Sequence, residues 1–461
     1  MGTTEKKLAE FIGEFPADRV PPEIMHIGKR LLLNEVGVAL YAAKDPAIGI
    51  LLDLFAAEGG NELATVIGVG VRTTLRNAAL ANGFLGHFED YDDTHLDTVI
   101  HTASPIYPAA MASAEATDAG GDTLLMAGVL GIEVACRLGR LIVPNFREAA
   151  GFWHITNTCG VFGAAAAASR ILGLTPDQIE HVLGLAGTQA MGLREVFGSM
   201  SKPFHAGKAA ENGLTAALLA RRGFTSISAE SKGILEGSRG FAAVMAKGYD
   251  LATVTDGLGE RWELPEIAIK PHACGQANQP LLDSVAVLRT RPGVTPDTVE
   301  SIHGTVLRMA PAIANRRHPE KGLEGKFSYH HTMACVLVDG HAYPQQFTDA
   351  RVNDPLIKSL RDRITVTEDK ALPRRAAAVT LKLKDGTTYS ETTEHSLGTP
   401  GNPLSDAQLE DKFRTLAGDI LPPEGVDSLA ERLWAVERQT SVRELMSLMA
   451  PSRRGAIQAS A

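Results

Sequence analysis

The stretch "CGVFGAAAAASRILG", residues 159–173, decides the fold. From Cys159 to Ala168 it offers no polar side chain larger than a thiol, so a helix here is apolar all round and has to be surrounded by other helices. Its glycines and five consecutive alanines let those neighbours come close. Reading outward, the neighbours are present: "PPEIMHIGKRLLLNEVGVALYAA" (21–43), "TTLRNAALANGFLGHF" (73–88), "SPIYPAAMASAEATDA" (104–119), "DTLLMAGVLGIEVACRLGRLI" (122–142), "TPDQIEHVLGLAGTQA" (175–190) and "GKAAENGLTAALLARRG" (207–223). In each, apolar residues recur at three and four positions. Thr175-Pro176-Asp177 reads as a cap and first turn, and Gly223 after Arg221 and Arg222 as a stop.

The character changes near Leu264. "SIHGTVLRM" (301–309), "RITVTED" (363–369) and "AAVTLKLKDGTTYSETTE" (377–394) alternate and are β-branched, with Asp385-Gly386 as a hairpin turn. "PLSDAQLEDKFRTLAG" (403–418) and "GVDSLAERLWAVERQTSVRELMSLM" (425–449) return to amphipathic helix, with Ser405 as a cap. The expected fold is mainly α with an α+β second domain: a helical domain from residues 1–264 and 404–450, an α+β unit from 265–403, and a mobile tail at 451–461. With 461 residues, more than one hydrophobic core is the default.

Composition excludes several classes. Hydrophobic residues make up 44%, no apolar run is long enough to span a bilayer, and "MGTTEKKLAEFIGEF" has no apolar signal segment, so a cytoplasmic protein is expected. A formal net charge of −9 without a basic stripe argues against nucleic acid. Cys136, Cys159, Cys274 and Cys335 are far apart, with no metal-ligand spacing. "GVGV" (68–71) lacks the third glycine and preceding strand of a dinucleotide fingerprint, "HAGKAAENG" (205–213) is not a P-loop, and neither H-E-x-x-H nor G-x-S-x-G occurs. Chemistry, if any, rests on acid/base side chains or a recruited ion.

Three clusters could carry it. "HFEDYDDTHLDTVIH" (87–101) packs carboxylates between histidines; if the helix runs to Thr94, Asp90 and Thr94 share a face and His95 and His101 follow in a loop. The alternative is an acidic helix end or a carboxylate that fixes helix packing. In "MSKPFHAGKAAENG" (200–213), Lys202, His205 and Lys208 precede a helix expected from about Ala209, with Lys202 extended before Pro203. Cations there oppose the helix dipole, a cost an anion would relieve; a solvated loop is the competing reading. "IAIKPHACGQANQPLLDS" (267–284) delivers Lys270 and His272 to a turn at the expected domain boundary, where small-molecule sites concentrate. His154, in "GFWHITNTCG" (151–160), reads as a core or capping histidine on spacing alone. Asp90, Asp92, Asp93 and His95 would be the ligands of a competing Mg²⁺ site.

Together with "KFSYHHTMACVLVDG" (326–340) and "GTPGNPLSDAQLEDKF" (398–413), these stretches in this order resemble the MmgE/PrpD family over nearly the whole chain. The family includes 2-methylcitrate dehydratase, cis-aconitate decarboxylase and iminodisuccinate epimerase. The resemblance implies a helical domain with a smaller lid domain, an active site between them, and a homodimer. It places Asp90, Thr94, His101, His154, Lys202 and Lys270 at the family's pocket positions, with the spacing to His101 one residue longer than in the decarboxylase. It also exposes a departure: Gln279 stands where family members carry a histidine about nine residues after the lysine.

The implied activity is that of a cofactor-independent lyase on a di- or tricarboxylate, a hydro-lyase ahead of a carboxy-lyase. An epimerase of an amino-dicarboxylate is the alternative within the family, and a silent carboxylate-binding homologue, suggested by Gln279, the alternative outside it. Lys202, Lys270, His101 and His154 are expected to hold carboxylates while a histidine or Asp90 moves the proton. His95, His205, Lys208, His272 and Gln279 complete the candidate binding set, and Glu89, Asp92, Asp93 and Asp97 are expected to orient the loop or face water.

Overall fold

A computed structural model describes residues 3–142, 153–228, 232–246, 248–307 and 315–451. The tail expected at 451–461 lies, but for Pro451, outside these residues. At the centre is the helix that carries the apolar stretch 159–168, α7 (Ile155–Ile171), packed against its neighbours as that composition requires. In chain order the preceding helices are α1 (Thr4–Glu14), α2 (Pro22–Ala42), α3 (Pro46–Glu58), α4 (Leu75–Phe88), α5 (Ala103–Thr117) and α6 (Gly121–Ile142); α8 (Pro176–Gly187) and α9 (Ser201–Arg221) follow. Helices α5, α6 and α9 enclose α7, and α9 also packs along α4. Small residues set these separations: a Cβ on Gly163 would lie 2.6 Å from the carbonyl oxygen of Gly131, and one on Gly83 2.9 Å from the Cα of Gly207.

Helix α9 begins at Ser201, eight residues before the expected start. Pro203 is accommodated in its first turn, where a missing N–H costs nothing. Lys202 and His205 are therefore helical, not extended.

Two short antiparallel strand pairs attach to the helical body: the hairpin of β1 (Ala64–Val66) with β2 (Val71–Thr73), and the long-range pair of β3 (Asp93–His95) with β4 (Ile267–Ile269). Residues beyond Lys270 form a second hydrophobic core. Its sheet has the order β6-β5-β7-β8, from β5 (Val299–Val306), β6 (Ile364–Glu368), β7 (Ala377–Leu383) and β8 (Thr388–Thr393). Strands β5 and β6 are parallel and the other pairs antiparallel. Helices Gln279–Leu288 and Tyr329–Asp339 cover this unit, and burial alternates along β7 as the sequence pattern requires.

The C-terminal helices turn back onto the first body. Asp406–Ala417 packs on α2, and Val442–Leu448 on α5. Val38 and Tyr41 of α2 and Leu416 enter the second core, so the two cores share a seam.

Candidate active site

Helix α4 ends at Phe88, and Asp90 has φ of 50°, in the left-handed region. Aspartate is among the few non-glycine residues that tolerate it. This reversal turns the chain into β3. Asp90 and Thr94 thus do not share a helix face as the sequence suggested; a turn and a strand bring them together. The β3–β4 register sets Asp93 against Ile269, which carries the next residue, Lys270, alongside Asp92. A residue 178 positions away is delivered to the acidic motif by three backbone pairs.

The Lys270 ammonium lies 2.9 Å from Asp90 Oδ1 and 2.9 Å from Asp92 Oδ1, and donates to the Asp90 carbonyl at 3.1 Å. Lys202, from the first turn of α9, donates to the other side of the same Asp90 Oδ1 at 3.0 Å. It also lies 2.8 Å from His87 Nε2, and the far nitrogen of that ring meets Asp92 Oδ2 at 2.6 Å. His87 is consequently the Nδ1–H tautomer, accepting from Lys202 and donating to Asp92. Ser104 adds a further donor to Asp92 Oδ2 at 2.9 Å. Behind Ser104 lies Glu35, wholly buried, with Oε2 at 3.2 Å from the hydroxyl. His101 places Nδ1 2.8 Å from the Asp93 carbonyl and 3.2 Å from Asp92 Oδ1, leaving Nε2 as its remaining nitrogen.

These partners pull the titrations apart. Burial would push Asp90 up, but Lys202, then Lys270 and His101, hold it well below the usual carboxylate range. Asp92 is likewise held down against burial by His101 and Lys270. Lys270 is raised: two carboxylates outweigh the burial that would lower it. Lys202 is lowered, because burial and Lys270 outweigh Asp90. The two ammoniums thus differ in direction, Lys270 raised and Lys202 lowered from the ordinary lysine value. Burial, and then Lys202, depress His87 to about 3, and burial with the neighbouring cationic groups keeps His154 well below its ordinary value. His205, whose Nδ1 is 3.0 Å from His154 Nδ1, falls to about 4 through burial and Lys202.

In front of this cluster is a cavity of about 160 Å³. Asp90, Thr94, His101, His154 and Lys202 line it, with Lys270 directly beneath Asp90. Two buried acceptors or donors on the cluster, Asp90 Oδ2 and His154 Nε2, have no hydrogen-bond partner. Buried polar atoms are normally satisfied, so these two point to a polar ligand. Asp90 and Asp92 neutralise the two ammoniums. Arg194 adds a guanidinium to the cavity wall.

Several expected residues lie elsewhere. His95 is turned inward to Thr98 Oγ1 at 2.7 Å and Glu263 at 3.3 Å, because alternation along β3 points it away from Thr94. Lys208 pairs with Glu211 one turn along α9. His272 accepts from the Ala342 N–H at 3.3 Å, in the second core. Gln279 donates to the carbonyls of His272 and Cys274, at 3.2 Å each, and so shapes the turn after Lys270 without lining the cavity. The Mg²⁺ ligand set does not converge. Asp93 caps α5 through Thr102 and Ala103, His95 faces Glu263, and the Lys270 ammonium lies between Asp90 and Asp92.

The acidic residues orient the loop, and two of them do so without facing water. Asp92 and Asp93 are fully buried, not facing water. Asp97 gathers Arg140, Arg374 and Arg375, and Glu89 is held by Lys326 at 2.8 Å. Sequence reasoning missed His87, Asp92, Arg194, and Phe197 and Phe327, whose rings lie 5.5 and 5.6 Å from the Lys202 ammonium. His87 had one available signal, a titratable residue ending an otherwise apolar helix.

The MmgE/PrpD N-terminal domain profile matches residues 6–253 and the MmgE/PrpD C-terminal domain profile residues 272–436. The chain belongs to the MmgE/PrpD family. Near-full-length similarity extends to three curated proteins. Cis-aconitate decarboxylase of Aspergillus terreus is 27% identical over 96% of this chain and 95% of its own. The cis-aconitate decarboxylase-like protein oryM of Aspergillus oryzae is 28% identical over 97% of each. Cis-aconitate decarboxylase of Mus musculus is 28% identical over 88% of this chain and 85% of its own. This MmgE/PrpD protein is an enzyme of the lyase class. No helix among its described residues is long and apolar enough to cross a membrane.

Proposed function

We propose that this lyase decarboxylates a tricarboxylate of the cis-aconitate class, with side chains as its only acids and bases. The observation that carries the reading is the arrangement of the two ammoniums: Lys270 is held between two carboxylates, while Lys202 donates to one of them and lines the cavity. Losing CO₂ breaks a carbon–carbon bond and leaves its electron pair on the substrate, conjugated with the double bond and a remaining carboxylate. That charge is stabilised by cations already in place. The trianion takes one proton at carbon and leaves as CO₂ and an unsaturated dianion, so atoms and charge balance. Lys202 is the proton donor, with His87 and Asp92 behind it. His101, backed by Asp92, and Arg194 hold the carboxylates that stay. Support for carboxy-lyase ahead of hydro-lyase comes from the relatives named cis-aconitate decarboxylase.

A homodimer belongs to the same proposal. Met191, Leu193, Met200 and Phe204, all between α8 and the second turn of α9, expose 58, 55, 49 and 37% of their surface, an apolar surface that a second copy would cover. Light scattering tests it, and a monomer at micromolar concentration would contradict it.

Incubation with cis-aconitate, citrate, 2-methylcitrate and iminodisuccinate in D₂O, followed by NMR, tests the reaction. The expected outcome is CO₂ loss from cis-aconitate with one deuterium on carbon in the product. Water loss from the hydroxy acids without CO₂ would overturn it. Lys202→Ala and His101→Ala should each lower kcat at least about 10²-fold.

A further inference from the structure

A second cavity, of about 450 Å³, adjoins the reaction cavity. Val99, Gln276 and Ala277 line both, so the two spaces share a seam. Beyond it Leu96, Pro280, Val306, Leu307 and Ala376 give the outer cavity an apolar wall, with Glu394, His395 and Ser396 along another side. Two of its polar members are engaged elsewhere: Arg375 with Asp97, and the Thr399 hydroxyl with the Ser396 carbonyl at 2.6 Å.

The seam is unusual in two ways. Val99 has φ of 57°, a conformation that β-branched residues rarely adopt and that persists only where the surroundings impose it. Here the Val99 N–H is held on the His95 carbonyl at 2.8 Å, and His95 pairs across to Ile100. The strained turn leaves the isopropyl group 45% exposed, at the junction of the cavities. Gln276 contributes the second feature, a buried Oε1 with no partner.

We propose that the outer cavity receives an alkyl substituent of the polycarboxylate, making alkyl-bearing tricarboxylates the preferred substrate class. This deepens the lyase reading above and rests on it. The charged head occupies the cavity of Asp90, His101, His154 and Lys202. The hydrocarbon passes Val99 and Ala277 into the outer cavity, which a purely ionic substrate would leave wet. Gln276 lies beside the point where head and chain meet. Burial of each methylene there raises affinity by about fourfold until the space is filled.

Saturated tricarballylates, which cannot decarboxylate, give a readout independent of turnover. Calorimetric titration of the wild-type enzyme with the unsubstituted acid and its methyl, propyl and pentyl derivatives should show Kd falling with chain length by about fourfold per methylene. A Kd that is flat or rises along the series overturns the proposal. Leu307→Trp, which fills only the outer cavity, should abolish the gain for the pentyl derivative and leave the unsubstituted acid's Kd unchanged; retention of the full gain would equally overturn it. Failure of every matching unsaturated acid to lose CO₂ would instead refute the decarboxylase reading and leave the binding series to decide the substrate's shape.

Discussion

At the scale of the residue, the site turns on how one carboxylate divides two ammoniums. Asp90 Oδ1 receives both Lys202 and Lys270, while Asp90 Oδ2 is left without a partner. Substrate carboxylates arriving beside His154, with His205 3.0 Å from its ring and both depressed by burial, would favour their charged forms. Binding should therefore take up protons, and affinity should fall as pH rises from the free values, about 4 for His205, through the raised values of the complex. Calorimetry in buffers of differing ionisation enthalpy measures the uptake; net proton release would contradict it.

Glu35 gives a second sign-definite test. Burial, then Asp92 and Asp93, raise its carboxyl well above the ordinary value, so above about pH 4.3 the native chain binds more protons than the unfolded one. Stability then falls with pH by about 1.4 kcal/mol per unit until the native value is passed. Glu35→Gln removes that loss. The variant should match the wild type at low pH and gain stability over it as pH rises, read from paired denaturation curves.

The basic members of this cluster were legible because lysines and histidines in apolar surroundings attract attention. His87, at the end of its helix, was the exception, and neither Asp92 nor Glu35 was legible, since a carboxylate reads as solvated until its partners, up to 178 positions away for Asp92, are known.

At the scale of the element, two devices assemble the site. Gly83 and Gly207 let α4 and α9 touch, bringing His87 and Lys202 within 2.8 Å. A methyl group on Gly207 would run into the Leu80 carbonyl. Gly207→Ala should thus destabilise the protein by about 1–3 kcal/mol and lower kcat as well, measured by denaturant titration and initial rates. The second device is β3–β4 pairing, which sets Lys270 beside Asp92.

The helices were readable from periodicity and small residues, and the hairpin at Asp385-Gly386 from its turn. The three-residue strands were not, because they are too short to show alternation. Nor was the start of α9, where Lys202-Pro203 reads locally as extended yet forms a first turn once the apolar stripe beyond it is buried.

At the scale of the whole molecule, the C-terminal third holds the catalytic loop in place. Lys412, from the helix Asp406–Ala417, donates to the carbonyls of Tyr91 at 2.7 Å and Lys270 at 2.9 Å and to Asn34 Oδ1 at 2.7 Å. Lys412→Met would leave these acceptors buried and unpaired, a loss of at least about 2 kcal/mol. It should lower kcat more than it raises KM, because it loosens the two segments that hold Asp90 and Lys270 together. Composition showed this return of the chain to the helical body, but not that one buried lysine would bridge Tyr91 and Lys270.

The central claim is that a polycarboxylate binds against Lys202 in the cavity bounded by Asp90, His101 and His154. The most direct measurement is a crystal structure of the enzyme with tricarballylate, the saturated tricarboxylate. A substrate carboxylate oxygen within about 2.7–3.2 Å of the Lys202 ammonium is the predicted result. Occupancy of any other site, with this cavity holding only water, would contradict the account.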